Sequence, residues 1–219
     1  MVFAFLNYLP YSKHFHIILA FPNTYYANLE AKGRFENNAA VTKEVALMMD
    51  PSADPFAAPA PDADAPIERF GAKDANDLSW ANLLNAYTCT ECGRCTSECP
   101  ANLTGKKLSP RKIMMDTRDR IEEIGQNIAT NGSFLDDGKS LLGDYITNEE
   151  LWACTSCNAC VQACPVDIDP LNIIMKLRNF ATMEESSAPG ALNAMMTNVE
   201  NNGAPWPFNQ MDRANWINE

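Results

Sequence analysis

Basic residues and histidines are scarce in this chain, and each shortage argues against a class of function. Lys and Arg number 17 against 28 Asp and Glu, which gives a formal net charge of −11. Nucleic-acid binding requires Lys and Arg that contact phosphates, so we do not expect the chain to bind nucleic acid. The two histidines lie close together, and the sequence has no second histidine-bearing helix with which to bind haem.

The sequence motifs of substrate chemistry are absent as well. There is no GxGxxG or P-loop, and no Ser/His/Asp set or pair of catalytic carboxylates can be placed. No segment shows the alternation of apolar and polar residues that indicates a strand. We therefore expect a mainly α chain without a substrate-binding catalytic site of its own.

The chain also lacks an uninterrupted apolar run of membrane-spanning length. Residues 1–30 are rich in apolar and aromatic side chains, but Pro10, Lys13, His14 and His16 interrupt them. The cleavage site of a signal peptide is missing too. We expect residues 1–30 to be an arm that contacts a membrane surface or a neighbouring subunit. Lys13, His14 and His16 are its candidate contacts to quinone, haem or lipid headgroups.

What the chain does contain is eight cysteines in two matching sets. CTECGRCTSECP begins at Cys89 and CTSCNACVQACP begins at Cys154, and both read C-x2-C-x2-C-x3-C-P. The tight, regular spacing and the missing signal peptide argue against disulfides and favour the reducing cytoplasm. Zinc sites use two C-x2-C pairs or mix cysteine with histidine, which does not fit these sets. The pattern favours two [4Fe–4S] clusters over zinc or disulfides.

The ligands of the two clusters are predicted to be exchanged between the sets. In the two-cluster pattern the cysteine before proline ligates the other cluster. Cluster one is then held by Cys89, Cys92, Cys95 and Cys164. Cluster two is held by Cys154, Cys157, Cys160 and Cys99.

Small and kinked residues next to the cysteines suit loops that wrap a cluster. Gly93 allows a tight turn and a close approach of backbone N–H to sulfur, and Asn158 tolerates the same left-handed conformation. Pro100 and Pro165 end the two loops. Nearby cations are expected to influence the cluster potentials, and the candidates are Arg94, Lys106, Lys107, Arg111 and Arg178.

The chain divides into four segments around the cysteine sets. The arm (residues 1–30) is followed by a linker rich in Pro, Ala and Asp (residues 31–73), and five prolines argue against a regular element between Met48 and Phe70. Residues 74–186 form an all-helical domain in which a helix, a cysteine loop and a capped helix occur twice. Residues 187–219 are expected to be an irregular tail that docks on a partner.

Capping residues predict where the main helices of the cysteine domain begin. Ser109 and Asp169 are each followed by proline, as at the first position of a helix. Thr147 and Glu150 have the spacing of a capping box before the second cysteine set. The helix that begins after Ser109 is predicted to end near Gly132.

The cysteine sets and their flanks resemble a known family. AYTCTECGRCTSECPANLTGKKLSPRKIMMDTRD, ELWACTSCNACVQACPVDIDPLNIIMKLR and NVENNGAPWPF are similar to segments of membrane-associated iron–sulfur oxidoreductases of the heterodisulfide-reductase-like group. The resemblance covers nearly the whole chain and implies an α-helical ferredoxin fold. Relatives often carry an upstream membrane domain of the nitrate-reductase gamma type and a downstream CCG domain, and this sequence has neither. We therefore expect either a subunit that relies on partner chains or a fragment.

The resemblance implies an electron-transfer subunit with two [4Fe–4S] clusters in a membrane-associated oxidoreductase complex, peripheral on the cytoplasmic face. The implied partners are a quinone- or haem-binding membrane subunit and a flavoprotein or CCG-domain redox subunit. Whether the chain is itself an enzyme stays open, because the chemistry would lie on its partners. Two alternatives stay open: an assembly module whose clusters are structural, and the iron–sulfur subunit of a succinate- or fumarate-type enzyme.

Overall fold

The computed structural model describes residues 1–12, 14–30, 35, 37–50 and 69–217. The helices in these ranges are α1 (Val2–Tyr8), α2 (Phe15–Tyr25), α3 (Ala39–Met49), α4 (Trp80–Thr88), α5 (Arg94–Ser97), α6 (Pro100–Leu103), α7 (Pro110–Asn131), α8 (Asn148–Ala153), α9 (Ala159–Gln162), α10 (Pro170–Met183) and α11 (Gly190–Asn202). Short helical turns occupy Leu9–Tyr11, Ala75–Asp77, Leu141–Tyr145 and Gln210–Ile217. No β-sheet forms within these ranges, so the mainly α fold class is confirmed.

Two helices lie in the segments that the sequence assigned to a linker and to an irregular tail. Helix α3 lies within the predicted linker, where residues 39–49 contain no proline and include good helix formers. Helix α11 lies within the predicted irregular tail and ends at Gly203, which has a left-handed backbone. The linker prolines Pro51, Pro55, Pro59, Pro61 and Pro66, and also Lys13, lie outside the described residues.

The chain divides into two compact units, Met1–Glu184 and Glu185–Glu219. The first unit contains both cysteine loops and the hydrophobic core. Helices α7 and α10 pack against each other at its centre, where Ile113 and Ile173 are fully buried. These two isoleucines occupy the same position, three residues after the proline that begins each helix. The core therefore preserves the repeat seen in the sequence.

The predicted caps fix the ends of these helices. The side-chain oxygens of Ser109 and Asp169 accept hydrogen bonds from backbone N–H groups in the first turns of α7 and α10. Thr147 and Glu150 form the predicted capping box at the start of α8. Helix α7 ends at Gly132, which adopts a left-handed conformation. The caps at Thr147 and Asp169 thus begin the helices that precede and follow the second cysteine loop.

A buried arginine joins α7 to the segments on either side of it. The Arg120 side chain is fully buried and donates to both carboxylate oxygens of Asp74 at 2.7–3.1 Å and to Asp137 at 2.6 and 2.9 Å. Asp74 also accepts from the backbone N–H of Leu141 at 3.0 Å. The Arg120 guanidinium lowers the pKa of Asp137 to about 2. Paired in this way, the buried charge is satisfied and three segments are held together.

The second helix of the arm packs on the cysteine domain. Helix α2 lies against α4, and the side-chain amide of the buried Asn23 donates to the backbone carbonyl of Val166 at 2.8 Å. The rings of Tyr26 and Trp80 meet edge to face, with centroids 5.2 Å apart. Many apolar side chains of the arm still face outward: Val2, Phe3, Phe5, Leu6, Tyr8, Tyr11, Ile17, Ile18, Phe21 and Tyr25. Among the described helices, none is long and apolar enough to span a membrane.

Candidate metal centre

The two cysteine loops have the same backbone conformation. Glu91 and Ser156, each two residues after the first cysteine of its set, have positive φ angles of 58° and 57°. Gly93 and Asn158 also match, with φ angles of 81° and 61°. Non-glycine residues rarely adopt positive φ, so its recurrence at equivalent positions indicates a shared structural demand. The repeat therefore extends from the cysteine spacing to the path of the backbone.

Backbone N–H groups in these loops point towards the sulfurs. The N–H of Ser156 donates to Cys154 Sγ and that of Ile168 donates to Cys164 Sγ, each at 3.4 Å. A hydrogen bond from the N–H of Arg94 lowers the pKa of Cys92. Such donors stabilise thiolates and influence the potential of a bound cluster.

Two neighbouring cavities are lined by cysteines from both loops. The first cavity is lined by Cys89, Cys92, Cys95 and Cys164, with a contribution from Cys160. The second cavity is lined by Cys99, Cys154, Cys157 and Cys160. Helices α5 and α9, which contain Cys95 and Cys160, pack against each other and bring the loops together. The structure thus brings each predicted set of four cysteines around one cavity.

Burial differs strongly between the cysteines. Cys99 and Cys160 are buried, with 6% and 7% of their surface exposed, whereas Cys92 and Cys157 are exposed. Burial raises the pKa of Cys160 to about 12 and also raises the pKa of Cys89, Cys95 and Cys154. A buried thiolate is unfavourable unless a positive charge accompanies it. Iron in the cavities would supply that charge.

The donor set fits four-iron clusters. Within the described residues, no group of three or more histidine, cysteine, aspartate or glutamate side chains is arranged to hold a metal ion. A [4Fe–4S] cluster needs a wider arrangement, because each of its irons binds a separate thiolate. Two cavities with four thiols each provide this arrangement twice.

The other predicted site residues are distributed unevenly. Gly93 and Pro165 line the first cavity and Asn158 lines the second, whereas Pro100 begins α6 and lines neither. The rings of His14 and His16 lie 6.5 Å apart in the arm, and neither lines a cysteine cavity. The structure therefore brings Gly93, Asn158 and Pro165 to the cysteine cavities, but not Pro100 or the histidines.

The predicted cations also separate into two groups. Arg94 and Arg111 line the first cavity. Arg178 donates to the backbone carbonyl of Cys154 at 2.6 Å, beside the second cavity. Lys106 and Lys107 line neither cavity, and Lys107 forms an exposed ion pair with Glu149.

Two charged residues at the first loop, Arg118 and Glu91, were not identified from the sequence. Arg118 in α7 forms an ion pair with Glu91 at 2.6 Å. The sequence does contain a feature that identifies Arg118. Arg118 and Arg178 both lie eight residues after the proline that begins their helix. Alignment of the two repeats through these prolines finds both arginines.

Comparison with known proteins agrees with this donor set. Residues 88–168 match the family model of the 4Fe-4S dicluster domain. The chain is 31% identical to the probable iron-sulfur-binding oxidoreductase FadF of Bacillus subtilis, over 99% of this chain and 32% of the relative. It is 28% identical to an EtfAB:quinone oxidoreductase of Syntrophomonas wolfei, over 100% of this chain and 30% of the relative.

A third relative is a smaller protein. The chain is 31% identical to a subunit of a ferredoxin/F(420)H(2)-dependent CoB-CoM heterodisulfide reductase of Methanosarcina acetivorans, over 50% of this chain and 54% of the relative. The chain spans about a third of the length of the two larger relatives. The resemblance to the heterodisulfide-reductase-like group is confirmed, as is the expectation of two [4Fe–4S] clusters. The chain therefore carries a 4Fe-4S dicluster domain, and its relatives are iron–sulfur oxidoreductases and small subunits of heterodisulfide reductases.

Proposed function

We propose that this chain is an electron-transfer subunit whose two [4Fe–4S] clusters exchange their fourth cysteine ligands. In this proposal Cys164 completes the cluster of the first loop and Cys99 completes the cluster of the second. The observation that carries the proposal is the lining of the two cavities, in which three cysteines of one loop meet the last cysteine of the other. The clusters supply one-electron chemistry, and the protein holds them close together.

The composition of the cavities favours electron transfer over substrate chemistry. Four thiolates for each cluster leave no iron without a protein ligand, so no iron is open to a substrate. Cys160 lines both cavities, and this contact keeps the distance between the clusters short. Cys92 and Cys157 are exposed, which gives each cluster an edge near the surface at which a partner exchanges electrons.

The partners in this proposal lie at both ends of an electron path. One is a flavoprotein or a CCG-type redox subunit, and the other is a membrane subunit that connects to the quinone pool. The name of the Syntrophomonas relative, an EtfAB:quinone oxidoreductase, supports a path of this kind. The negative net charge of the chain suits a partner with a basic face.

The arm is proposed to make peripheral contact with the cytoplasmic face of the membrane. Phe3 and Phe21 are 81% and 78% exposed, and both belong to helices rich in apolar side chains. Outward-facing aromatic residues on short helices insert into the interface between lipid headgroups and acyl chains. Packing of α2 on α4 would then place the dicluster domain close to that surface.

Iron analysis and redox titration test the electron-transfer proposal. Anaerobically purified protein should contain about eight irons per chain, and both clusters should be reduced reversibly by one electron each. Electron paramagnetic resonance of the reduced protein should show two interacting clusters. About four irons per fully loaded chain would contradict the proposal, and two clusters that no donor reduces reversibly would indicate a structural role instead.

Binding to lipid vesicles tests the membrane contact separately. Wild-type protein should co-sediment with vesicles of zwitterionic lipid, and Phe3→Ser/Phe21→Ser should reduce the bound fraction several-fold. The matched control is Phe134→Ser, which changes a partly exposed phenylalanine in the loop after α7. Equal binding of the arm variant and the control would overturn the membrane contact without affecting the iron count.

A further inference from the structure

Helices α7 and α10 place an arginine at the same position beside each cysteine loop. Arg118 and Arg178 each lie eight residues after the helix-starting proline. Each guanidinium reaches the loop residue with positive φ, which is Glu91 in the first loop and Ser156 in the second. The two repeats therefore share the cation but differ in the residue that faces it.

The charge of Arg178 meets only neutral groups. Its guanidinium donates to the backbone carbonyls of Leu151 at 2.8 Å and Cys154 at 2.6 Å, and it lies 3.4 Å from Ser156 Oγ. The guanidinium also stacks on the ring of Trp152, 4.9 Å from its centroid. Among the residues that the structure describes, no carboxylate forms an ion pair with Arg178. Its positive charge is therefore uncompensated beside the carbonyl of Cys154.

The charge of Arg118 is largely cancelled. Its Nη2 atom lies 2.6 Å from a carboxylate oxygen of Glu91, and both side chains are mostly buried, with 16% and 24% exposed. A second carboxylate, that of Asp119, lies 3.7 Å from the same guanidinium but is more exposed. A close, partly buried ion pair has little net charge at a distance. The first loop therefore experiences a weaker positive field from its arginine than the second loop does.

We propose that Glu91 and Ser156 set unequal reduction potentials for the two clusters. Glu91 cancels the charge of Arg118, whereas Ser156 leaves the charge of Arg178 uncompensated. A cluster gains one negative charge when it accepts an electron, so a nearby uncompensated cation favours the reduced form. Ser156 thus raises the potential of the second cluster, and Glu91 lowers that of the first. The effect biases an electron towards the second cluster. This inference rests on the proposed ligand assignment.

Other charged groups near the cavities are the same in the wild-type protein and in variants of Glu91 or Ser156. Arg94 and Arg111 line the first cavity but are exposed, so solvent screens them. Asp169, the N-cap of α10, is close enough to Cys160 to act on its thiol. These groups contribute to the absolute potentials. The contribution of Glu91 and Ser156 is isolated by changing these two residues alone.

A reciprocal exchange between the loops tests the inference. Ser156→Glu gives Arg178 the carboxylate that Arg118 already has, and Glu91→Ser removes that carboxylate from the first loop. Both substitutions keep a non-glycine residue at a positive φ, so they impose similar backbone strain. Redox titration of the whole chain by electron paramagnetic resonance should show a lower sum of the two midpoint potentials for Ser156→Glu. Glu91→Ser should raise that sum, by a smaller amount because Asp119 remains.

The sum of the midpoints is the appropriate readout because neighbouring clusters titrate as a coupled pair. The sum requires no assignment of either step to one cluster, and a purely structural role for the loop residues would not shift it in opposite directions. Unchanged sums in both variants, or shifts of the same sign, would overturn the inference.

Substitution of Arg178 separates its charge from its hydrogen bonds. Arg178→Gln and Arg178→Lys both remove the stacked guanidinium, but only Arg178→Lys retains the positive charge. The sum of the midpoints should fall in Arg178→Gln and stay closer to the wild-type value in Arg178→Lys. Equal sums in two fully loaded variants would contradict a role for the charge. Wild-type protein with half the expected iron would instead count against the proposed function itself.

Discussion

At the level of single residues, Gly71 occupies the most crowded backbone position among the described glycines. A Cβ atom built there would lie 2.5 Å from the carbonyl oxygen of Lys176 and closer still to the backbone N of Phe180. The next residue, Ala72, donates its N–H to the same Lys176 carbonyl at 3.1 Å. The backbone at Gly71 and Ala72 therefore packs directly against the backbone of α10, and only glycine fits at position 71.

Gly71→Ala should lower the thermal stability of the loaded protein. The added methyl group meets backbone atoms that cannot move aside, and overpacking of this kind costs about 1–3 kcal/mol. The measurement is the unfolding midpoint by circular dichroism, under anaerobic conditions and at a fixed heating rate. Gly125→Ala is the matched control, because a Cβ at this helical position meets no atom within 4 Å. The control should gain about 0.5–1 kcal/mol, and equal midpoints in the two variants would contradict the crowding.

Arg120 should be among the residues whose loss destabilises the domain most. Arg120→Met leaves the carboxylates of Asp74 and Asp137 without their shared partner. Removal of one member of a buried ion pair costs about 3–5 kcal/mol. Urea unfolding followed by circular dichroism measures the loss. The control is Lys107→Met, which removes a cation from the exposed pair with Glu149. It should leave the unfolding midpoint unchanged, since solvent screens exposed ion pairs. Equal losses of stability in both variants would refute the prediction.

The role of Arg120 could not be read from the sequence. Its partners Asp74 and Asp137 are 46 and 17 residues away, and their approach depends on the fold of the intervening loops. Gly93 and Asn158 were predictable, because a tight loop around a cluster demands a left-handed backbone at a known offset from cysteine. Residue-scale prediction therefore succeeds where the constraint is local and fails where it is long-range.

At the level of elements, α8 is a short helix that depends on its cap. It has six residues, Asn148–Ala153, and leads directly into Cys154. A helix of this length is not stable by itself, so the capping box of Thr147 and Glu150 and the burial of Leu151 must stabilise it.

Thr147→Ala should destabilise the second cysteine loop. Loss of the side-chain oxygen that accepts from the N–H of Glu150 costs about 1 kcal/mol. The measurement is the rate of absorbance loss at the cluster band when a chelator is added, which should be faster in the variant. Thr130→Ala, in the exposed last turn of α7, is the control and should lose its clusters at the wild-type rate. A wild-type rate in Thr147→Ala would show that the cap does not protect the loop.

The helices whose ends were predicted from the sequence are those with capping residues, proline or glycine at their ends. Ser109 with Pro110, Asp169 with Pro170, and Gly132 each marked a helix end that the structure contains. The packing of α2 on α4 was not predictable, because the apolar residues of the arm suit lipid and protein equally well. Only the tertiary contacts, such as Asn23 on Val166, distinguish the face that packs inward.

At the level of the whole molecule, the proposed exchange of ligands would make each cluster depend on both halves of the domain. Cys89→Ser/Cys164→Ser should affect a single cluster, because both cysteines line the first cavity. Cys89→Ser/Cys99→Ser should affect both clusters, because Cys99 lines the second cavity. Iron analysis of the two variants should show about half of the iron retained in the first and less in the second.

The single variants provide the control for this comparison. Cys89→Ser and Cys164→Ser should each retain as much iron as their combination, since a second change at the same cluster adds no further loss. If Cys89→Ser/Cys99→Ser instead retained half of the iron while Cys89→Ser/Cys164→Ser lost more, each loop would hold its own cluster.

Much of the candidate site could be predicted from the sequence, because the cysteine spacing is specific for two-cluster domains. All eight cysteines fall on the two cavities in the predicted sets of four. The surrounding charges were less accessible, since the pairing of Arg118 with Glu91 requires α7 to pack beside the first loop. Cysteine spacing thus predicts the donors, whereas tertiary packing determines the field around them.

The interleaving of Cys99 and Cys164 has a consequence for the chain as a polymer. With the ligands exchanged as proposed, each cluster is a cross-link between the two halves, and such ties reduce the conformational entropy of the unfolded chain. The loop after α7 is exposed from residue 132 to residue 139. A protease that cuts there would therefore produce two fragments that are held together by iron–sulfur ligation in addition to the packing of α7 on α10.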